Sequence, residues 1–576
     1  MDRILQSFID SYKSDYDINA DDTTLFEYFA NYCVISKHLP EAYRNDPHLY
    51  EKIHTGEGGD YGIDGIAICI DEDKYISNLE QAKELINSQP FSASFILVQA
   101  KTSATFDAGD MLKTGNGTLQ LFSGKVETGN RKIKKYKEII EYIFSKAIQF
   151  KENPTCYIYY VTTGKWVDDK YLCQTKDKIE DDLRKLNLFS HVEFIPRDCD
   201  KLQISYKEIR NTITKKINVA KCLAFPKING VEQAFLGLVS MKDYITLICD
   251  NEGKLQNSLF YDNVRGYLGN NQVNIDIKKT LESSTRNVQF PILNNGVTIV
   301  TKSLKHIGEE FEMTDFQIVN GCQTSNVIYH FGKNIDKNIY LTVKIICTDN
   351  SDVINDIIKS TNRQTEVKLE AFESLKPFHK KLQNYYDSYT GSDRLYYERR
   401  PREYRIYNGV TVPSYRIITL ASQLLSVVSM FLDEPQSTHR YYGELLRVKK
   451  DTVFINDHLP CAYYISAYAL FNIDKAIKKR EISEHMKAYR YQMLMVYKYI
   501  LCGNDKYYLN SHKTERACKK MEDNINNKVD FLRTLKKVEK IILETKEEMA
   551  SREGNTEILN RKKEFTIALK KKMGVI

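Results

Sequence analysis

The sequence predicts a multidomain α/β protein, and three observations predict it. A length of 576 residues is more than one hydrophobic core serves, and at roughly 150 residues per domain it implies about three units. Strand-like apolar runs alternate with helical periodicity out to about residue 200, the pattern of an α/β layer arrangement. From about Thr411 onward helical periodicity dominates. The expected division is therefore 1–215, 216–410 and a mainly helical 411–576.

Composition narrows the class. With 42% hydrophobic and 28% charged residues the chain can bury cores and is too apolar to be disordered. Lys and Arg exceed Asp and Glu by 83 to 76, a mild excess that permits a polyanion partner without demanding one. The 12 cysteines form no CxxC pair, which argues against a zinc ribbon or redox dithiol and for a reduced compartment. The first residues lack the apolar run of a signal peptide, and no later stretch supplies roughly 18 uncharged apolar residues. A cytoplasmic protein with no membrane contact is expected.

Element by element, LFEYFANYCVISKHL spaces its apolar residues by threes and fours and reads as a helix capped by Asp22 or Thr23. After the glycine cluster GEGGDYG comes a β-like run, IDGIAICID, then a helical SNLEQAKELINSQP and the strand SFILVQAK. The helix KIKKYKEIIEYIFSKAIQF leads to strands at CYIYYVTTG and HVEFIPRD. Residues 201–257 are mixed. Beyond them FPILNNGVTIV, FQIVNGCQTSNVI and STNRQTEVK are polar and turn-like, the last following the strand-like IYLTVKIICTD. No repeat of 20 to 50 residues is present, which disfavours a solenoid.

Two constellations carry chemistry. In FILVQAK side chains alternate, so Gln99 and Lys101 share one face and Ala100 takes the other. Asp64 and the amide oxygen of Gln99 are oxygen donors of the kind Mg²⁺ takes, and the lysine is a cation able to orient water. Taken alone, an aspartate between glycines is a turn residue and a strand-closing lysine is solvated. Their order, on these elements, favours a site. The set GIDG at Gly62 to Gly65 with QAK at Gln99 to Lys101 resembles the PD-(D/E)xK nucleases, in the Mrr-like variant with glutamine in place of the acid. The resemblance implies a restriction-endonuclease-like domain over roughly residues 20 to 200. It implies metal-dependent cleavage of nucleic acid, with Asp64, Gln99 and Glu27 as ligands of Mg²⁺ or Mn²⁺ and Lys101 as catalytic lysine. Asp60 is a weaker substitute ligand, and His54 is expected on the surface.

In the second constellation, VNGCQTSN reads as strand, polar turn and helix, where backbone N–H groups can receive a phosphate. LNNGVTIV at Leu293 to Val300, IVNGCQTSN at Ile318 to Asn326, TNRQTEVK at Thr361 to Lys368 and LYYERR at Leu395 to Arg400 resemble the AIPR family, named for abortive infection phage resistance. That resemblance spans roughly residues 230 to 440 and implies an α+β AIPR core and antiphage defence. The strand, NGxQT, helix, NRQ layout is also loosely similar to the DGQHR arrangement of ParB-like nucleotide-binding domains. Asn295, Asn320, Gln323, Asn362, Arg363, Gln364, Arg399 and Arg400 are the candidate ligand or nucleic-acid contacts. The alternative is that the amides tie loops together. Tyrosine, at 39 residues, invites a base-stacking reading, yet core packing is the commoner fate.

The sequence thus points to a magnesium-dependent defence nuclease acting on DNA and regulated by an AIPR domain that senses a nucleotide or phage-derived trigger. A homo-oligomer is expected because duplex cleavage needs two cuts. The competing expectation is a nucleotide- or nucleic-acid-binding regulator whose nuclease-like domain does not cleave.

Overall fold

The computed structural model of the chain describes residues 2–56, 58–71, 74–86, 89–124, 129–210, 213–250, 253, 255–260, 272–283, 285–331, 339–361, 373–374, 376–391, 393–399, 404, 412–553 and 559–576. The first unit contains α1 (Arg3–Tyr16), α2 (Asp22–His38), α3 (Ala42–Asn45), α4 (Leu49–Ile53), β1 (Gly65–Ile70), β2 (Lys74–Ile76), α5 (Leu79–Leu85), β3 (Ala93–Lys101), α6 (Ala108–Phe122), α7 (Arg131–Ser145), β4 (Thr155–Thr162), α8 (Lys170–Arg184), β5 (His191–Arg197) and α9 (Cys199–Arg210). Its five strands lie in the order β2-β1-β3-β4-β5. β1 is antiparallel to β2 and β3, and β3, β4 and β5 are parallel. β3 is central and nearly all buried, as its unbroken apolar run requires.

Alternation along β3 sends Ile96, Val98 and Ala100 into a core shared with α1, α2 and α9, and Phe95 and Leu97 into a core shared with α6, α7 and α8. The cap of α2 is Asp21, one residue earlier than either expected candidate; its Oδ1 accepts from the N–H groups of Thr23 and Thr24 at 3.0 Å. Asp22 instead occupies the first turn, where its charge meets the helix dipole.

The second unit contains β6 (Thr214–Asn218), β7 (Ala220–Ala224), β8 (Gln233–Ser240), α10 (Met241–Ile248), α11 (Gln272–Glu282), α12 (Phe290–Leu293), β9 (Val297–Ile307), β10 (Glu310–Asn320), α13 (Cys322–Phe331), β11 (Tyr340–Cys347) and α14 (Ser351–Thr361). Its sheet has the order β6-β10-β9-β11-β8-β7, with β9 and β11 parallel and the other pairs antiparallel. One face buries apolar side chains of α10, α11 and α13, and the other a smaller cluster with Ile354 and Ile358 of α14.

From Leu420 the chain is helical around the largest apolar cluster in the molecule. That cluster also takes in Leu395 and Tyr397, at the short parallel pair β12 (Tyr396–Glu398) and β13 (Ile417–Thr419). Many of its tyrosines pack on one another: Tyr389 stacks on Tyr464 at 3.9 Å, and Tyr386, Tyr463 and Tyr497 are fully buried. These rings form core and are not available to bases. Among the described residues no helix is long and apolar enough to cross a membrane.

Polar contacts join the first unit to the helical one. Arg44 bonds the buried Glu398 at 3.0 Å, Arg440 bonds Glu84 at 2.8 Å, and Gln81 donates to His439 O at 3.0 Å. Asp15 is buried on α1, where it accepts from Arg210 of α9 at 2.6 Å and from the Ser414 N–H and hydroxyl at 3.1 and 2.8 Å. Removing such a carboxylate strands a guanidinium and two further donors. Asp15→Ala is expected to lower stability by about 3 kcal/mol in urea unfolding; a change below about 0.5 kcal/mol would mean that Asp15 does not clasp these elements.

Candidate active site

Asp64 lies where the loop after α4 turns into β1. Glycine builds that turn: Gly62 has φ 71°, in the left-handed region, and its N–H donates to Asp60 Oδ1 at 2.8 Å. β1 then pairs with β3 so that Gly65 faces Val98, which sets Asp64 beside Gln99. The Asp64 N–H donates to Val98 O at 2.7 Å. Its carboxylate Oδ2 accepts from the Ala100 N–H at 2.8 Å and from Gln99 Nε2. Gln99 is buried, and its Oε1 has no hydrogen-bond partner among the described residues. Lys101, two residues on and half-exposed, holds its cation within electrostatic reach of Asp64.

Glu27 approaches from the other face of the sheet. On α2 it stands four residues before Asn31, so both side chains point the same way. The Asn31 amide donates to Asp64 O at 3.2 Å. Such closeness needs Gly65, because a Cβ at that position would overlap the Asn31 amide. Glu27 Oε2 meets His54 Nε2 at 2.6 Å, and the ring of Tyr28 packs edge-on against His54 at 4.9 Å. His54 is therefore not a surface residue as expected from sequence. It is 7% exposed, and its burial is tolerated because Glu27 satisfies its ring nitrogen. Thr55 follows, donating its N–H to Asp64 O at 3.1 Å, and Asn130 at the start of α7 donates to Thr55 O at 2.7 Å.

Burial is the largest influence on Asp64, and the negative charge of Glu27 adds to it. Together with Asp60 they push its pKa from 3.8 to about 7, against the Ala100 N–H and the Lys101 cation, which pull it down. A buried carboxylate titrating near neutrality, with an orphan amide oxygen and a cation alongside, is the kind of arrangement that clusters at functional sites. The oxygen donors that a hard cation would meet are Asp64, Glu27 and Gln99 Oε1. Among the described residues no group of three or more His, Cys, Asp or Glu side chains is placed to hold a metal ion.

The second constellation converges on a cavity of about 320 Å³ between the turn entering β9 and the start of α13. Asn295, Asn320 and Gln323 line it, together with Asp276 and Thr280 of α11. Gly296 and Gly321, with φ 74° and 103°, make the two turns. Asn294, not singled out in the sequence, ties them: its Oδ1 accepts from the Gly296 N–H at 2.9 Å and its Nδ2 donates to Thr324 Oγ1 at 3.2 Å. Asn274 Nδ2 donates to Gln323 Oε1 at 2.9 Å. Amides here thus both tie loops and line a space. Arg399 lies elsewhere, near His379 at the helical core. Asn362, Arg363, Gln364 and Arg400 lie outside the described residues.

A family model described as AIPR protein matches residues 260–554. The chain belongs to the AIPR family. No curated protein and no solved structure matches it. In this AIPR protein the matched stretch starts later than the motifs suggest and runs past residue 440 through most of the helical unit. The 320 Å³ cavity and the helical core fall largely inside it, while Asp64, Gln99 and Lys101 precede it. The family suggests a role in abortive infection, a form of phage defence.

Proposed function

We propose that this AIPR protein is a defence nuclease whose first unit has a restriction-endonuclease-like fold and hydrolyses DNA phosphodiesters at Asp64, while the family region senses a trigger and restrains the cut. The observation that carries the reading is the buried Asp64 carboxylate, its pKa near 7, held against Gln99 beside Lys101. Asp64, Glu27 and Gln99 Oε1 would hold Mg²⁺ or Mn²⁺, which supplies charge neutralisation at the phosphate and a more acidic water. The chain itself orients Asp64 through the Ala100 and Val98 backbone, and His54 keeps Glu27 turned towards the site. Lys101 positions the attacking water and meets charge on the phosphate. Cytoplasmic location and oligomeric assembly belong to the same reading.

Purified protein is expected to cut plasmid DNA with Mg²⁺ and not with EDTA, and Asp64→Ala and Lys101→Ala should each lower cutting by about 10² or more. Variants that cut like wild type would sink the assignment. So would a folded wild type that cuts nothing even with phage lysate added.

The second reading is a regulator that binds without cutting. It is favoured by the glutamine at position 99 and by the lack of a third acidic, histidine or cysteine ligand among the described residues. Titration calorimetry with Mg²⁺ separates the two: heat abolished by Asp64→Ala supports cleavage chemistry, and no heat in wild type supports the regulator.

A further inference from the structure

A second and larger cavity, about 780 Å³, lies between the first unit and the helical unit. Its volume suits a ligand of nucleotide size. One wall is α4 with Tyr28 of α2, and another is the segment around Tyr415 and Arg416 with Phe471 of the Pro460–Lys478 helix. Most of its charges are already paired, as in Lys487 with Glu51 and Lys478 with Asp17 across the gap and Arg490 with Asp474 within the helical unit. Arg416 is different. It has no ion pair among the described residues, and its buried Nε–H has no hydrogen-bond partner there. The backbone leading to it is anchored, because Asp15 bonds Ser414 two residues before it through both N–H and hydroxyl. Tyr415 and Phe471 stack nearly parallel, 3° apart with centroids 6.3 Å from each other, and the Arg416 guanidinium carbon lies 5.7 Å from the Tyr415 centroid, leaving the outer ring faces beside this cation. A guanidinium on an anchored backbone, without an ion pair among the described residues and next to aromatic faces, is complementary to a phosphate joined to a planar ring.

The far side of the same wall is the candidate active site. Tyr28, Tyr50 and Glu51 line the cavity, and the chain leaving α4 supplies His54 to Glu27 and the Thr55 N–H to Asp64 within five residues. Tyr28 packs on both Tyr50 and His54, at 4.9 Å each. Lys132 clamps this corner, donating to Glu51 O at 3.1 Å and His54 O at 2.6 Å. A shift of α4 therefore cannot leave the Asp64 backbone untouched.

We propose that the 780 Å³ cavity is an effector site for a nucleoside phosphate, gripped at its phosphate by Arg416 and at its base by the neighbouring rings, with α4 passing its occupancy to Asp64. The coupling rests on the nuclease reading, whereas binding does not, and the test reads the two apart. ATP, adenosine and inorganic phosphate are titrated into the full chain in EDTA, with thermal melting and hydrogen exchange as readouts. ATP is expected to raise Tm by several degrees, either half of the molecule by less, and Arg416→Ala to weaken ATP binding at least tenfold. Exchange in the segment 49–65 should slow severalfold with ATP bound. Failure of ATP to bind the folded protein would overturn the proposal, as would equal binding by Arg416→Ala and by Tyr415→Ala. ATP binding that leaves exchange in 49–65 unchanged would overturn the coupling alone. None of these readouts depends on DNA cleavage.

Discussion

Asp64→Asn is expected to make the metal-free protein more stable at pH 8 and, on the proposed nuclease reading, to abolish DNA cleavage. The carboxyl titrates at 3.8 when unfolded and at about 7 in the fold. Between those values the unfolded chain releases a proton that the native state still holds, so stability falls as pH rises through this window and stays low above it. Asparagine cannot ionise, and its oxygen can still accept from Ala100 and Gln99. The stability difference between variant and wild type should grow from about pH 4 to pH 7, reaching on the order of 2–4 kcal/mol, then level off. Urea unfolding in EDTA across that range measures it. A flat difference would mean that Asp64 ionises at an ordinary pH and that its burial has no part in the site. The reverse dependence should appear in metal binding: affinity should climb with pH up to about 7 as one proton is displaced, then plateau.

Gly65→Ala should destabilise the protein by about 2–4 kcal/mol, because the new methyl group overlaps the buried Asn31 amide, which must break its bond to Asp64 O and turn away or move with α2. Asn31→Ala alone should cost about 1–2 kcal/mol through the lost bond to Asp64 O. The two changes occupy and vacate the same space, so the double variant should be clearly more stable than the sum of the single effects requires. Additive costs within about 0.3 kcal/mol would show that Gly65 and Asn31 do not share a contact. On the proposed nuclease reading, cleavage should fall in Asn31→Ala and stay low in the double variant, since Asp64 loses the amide that fixes its carbonyl.

Much of the first unit is legible in the sequence because its signals are local. The run FILV in β3 demands a buried strand, and strict alternation then brings Gln99 and Lys101 to one side. By contrast α6 does not read as a helix: AGDMLKTGNGTLQLF carries glycines at 115 and 117, poor helix formers. Tertiary packing overrides that propensity, for a Cβ at Gly115 would strike Ile179 of α8 and one at Gly117 would strike Tyr61 O. Asn31 left a faint signal, a lone amide in a helix buried on nearly every side. His54 and Thr55 left none, since only the pairing of β1 with β3 brings Asp64 back to them. In the second unit glycine turns in NNG and NGCQ are readable, whereas their convergence on one cavity depends on β9 and β10 being neighbours.

The clasps at Asp15, Arg44, Gln81 and Glu84 bear on how such a gene can change over time. Each joins residues more than 350 positions apart in the chain, and three of them need a specific partner side chain, in Ser414, Glu398 or Arg440, while Gln81 takes the backbone carbonyl of His439. A recombination event that replaced the first 210 residues with those of a distant homologue would arrive without matching partners and leave buried charges facing one another unpaired. The two halves are therefore constrained to diverge together, as an inherited pair rather than as interchangeable cassettes.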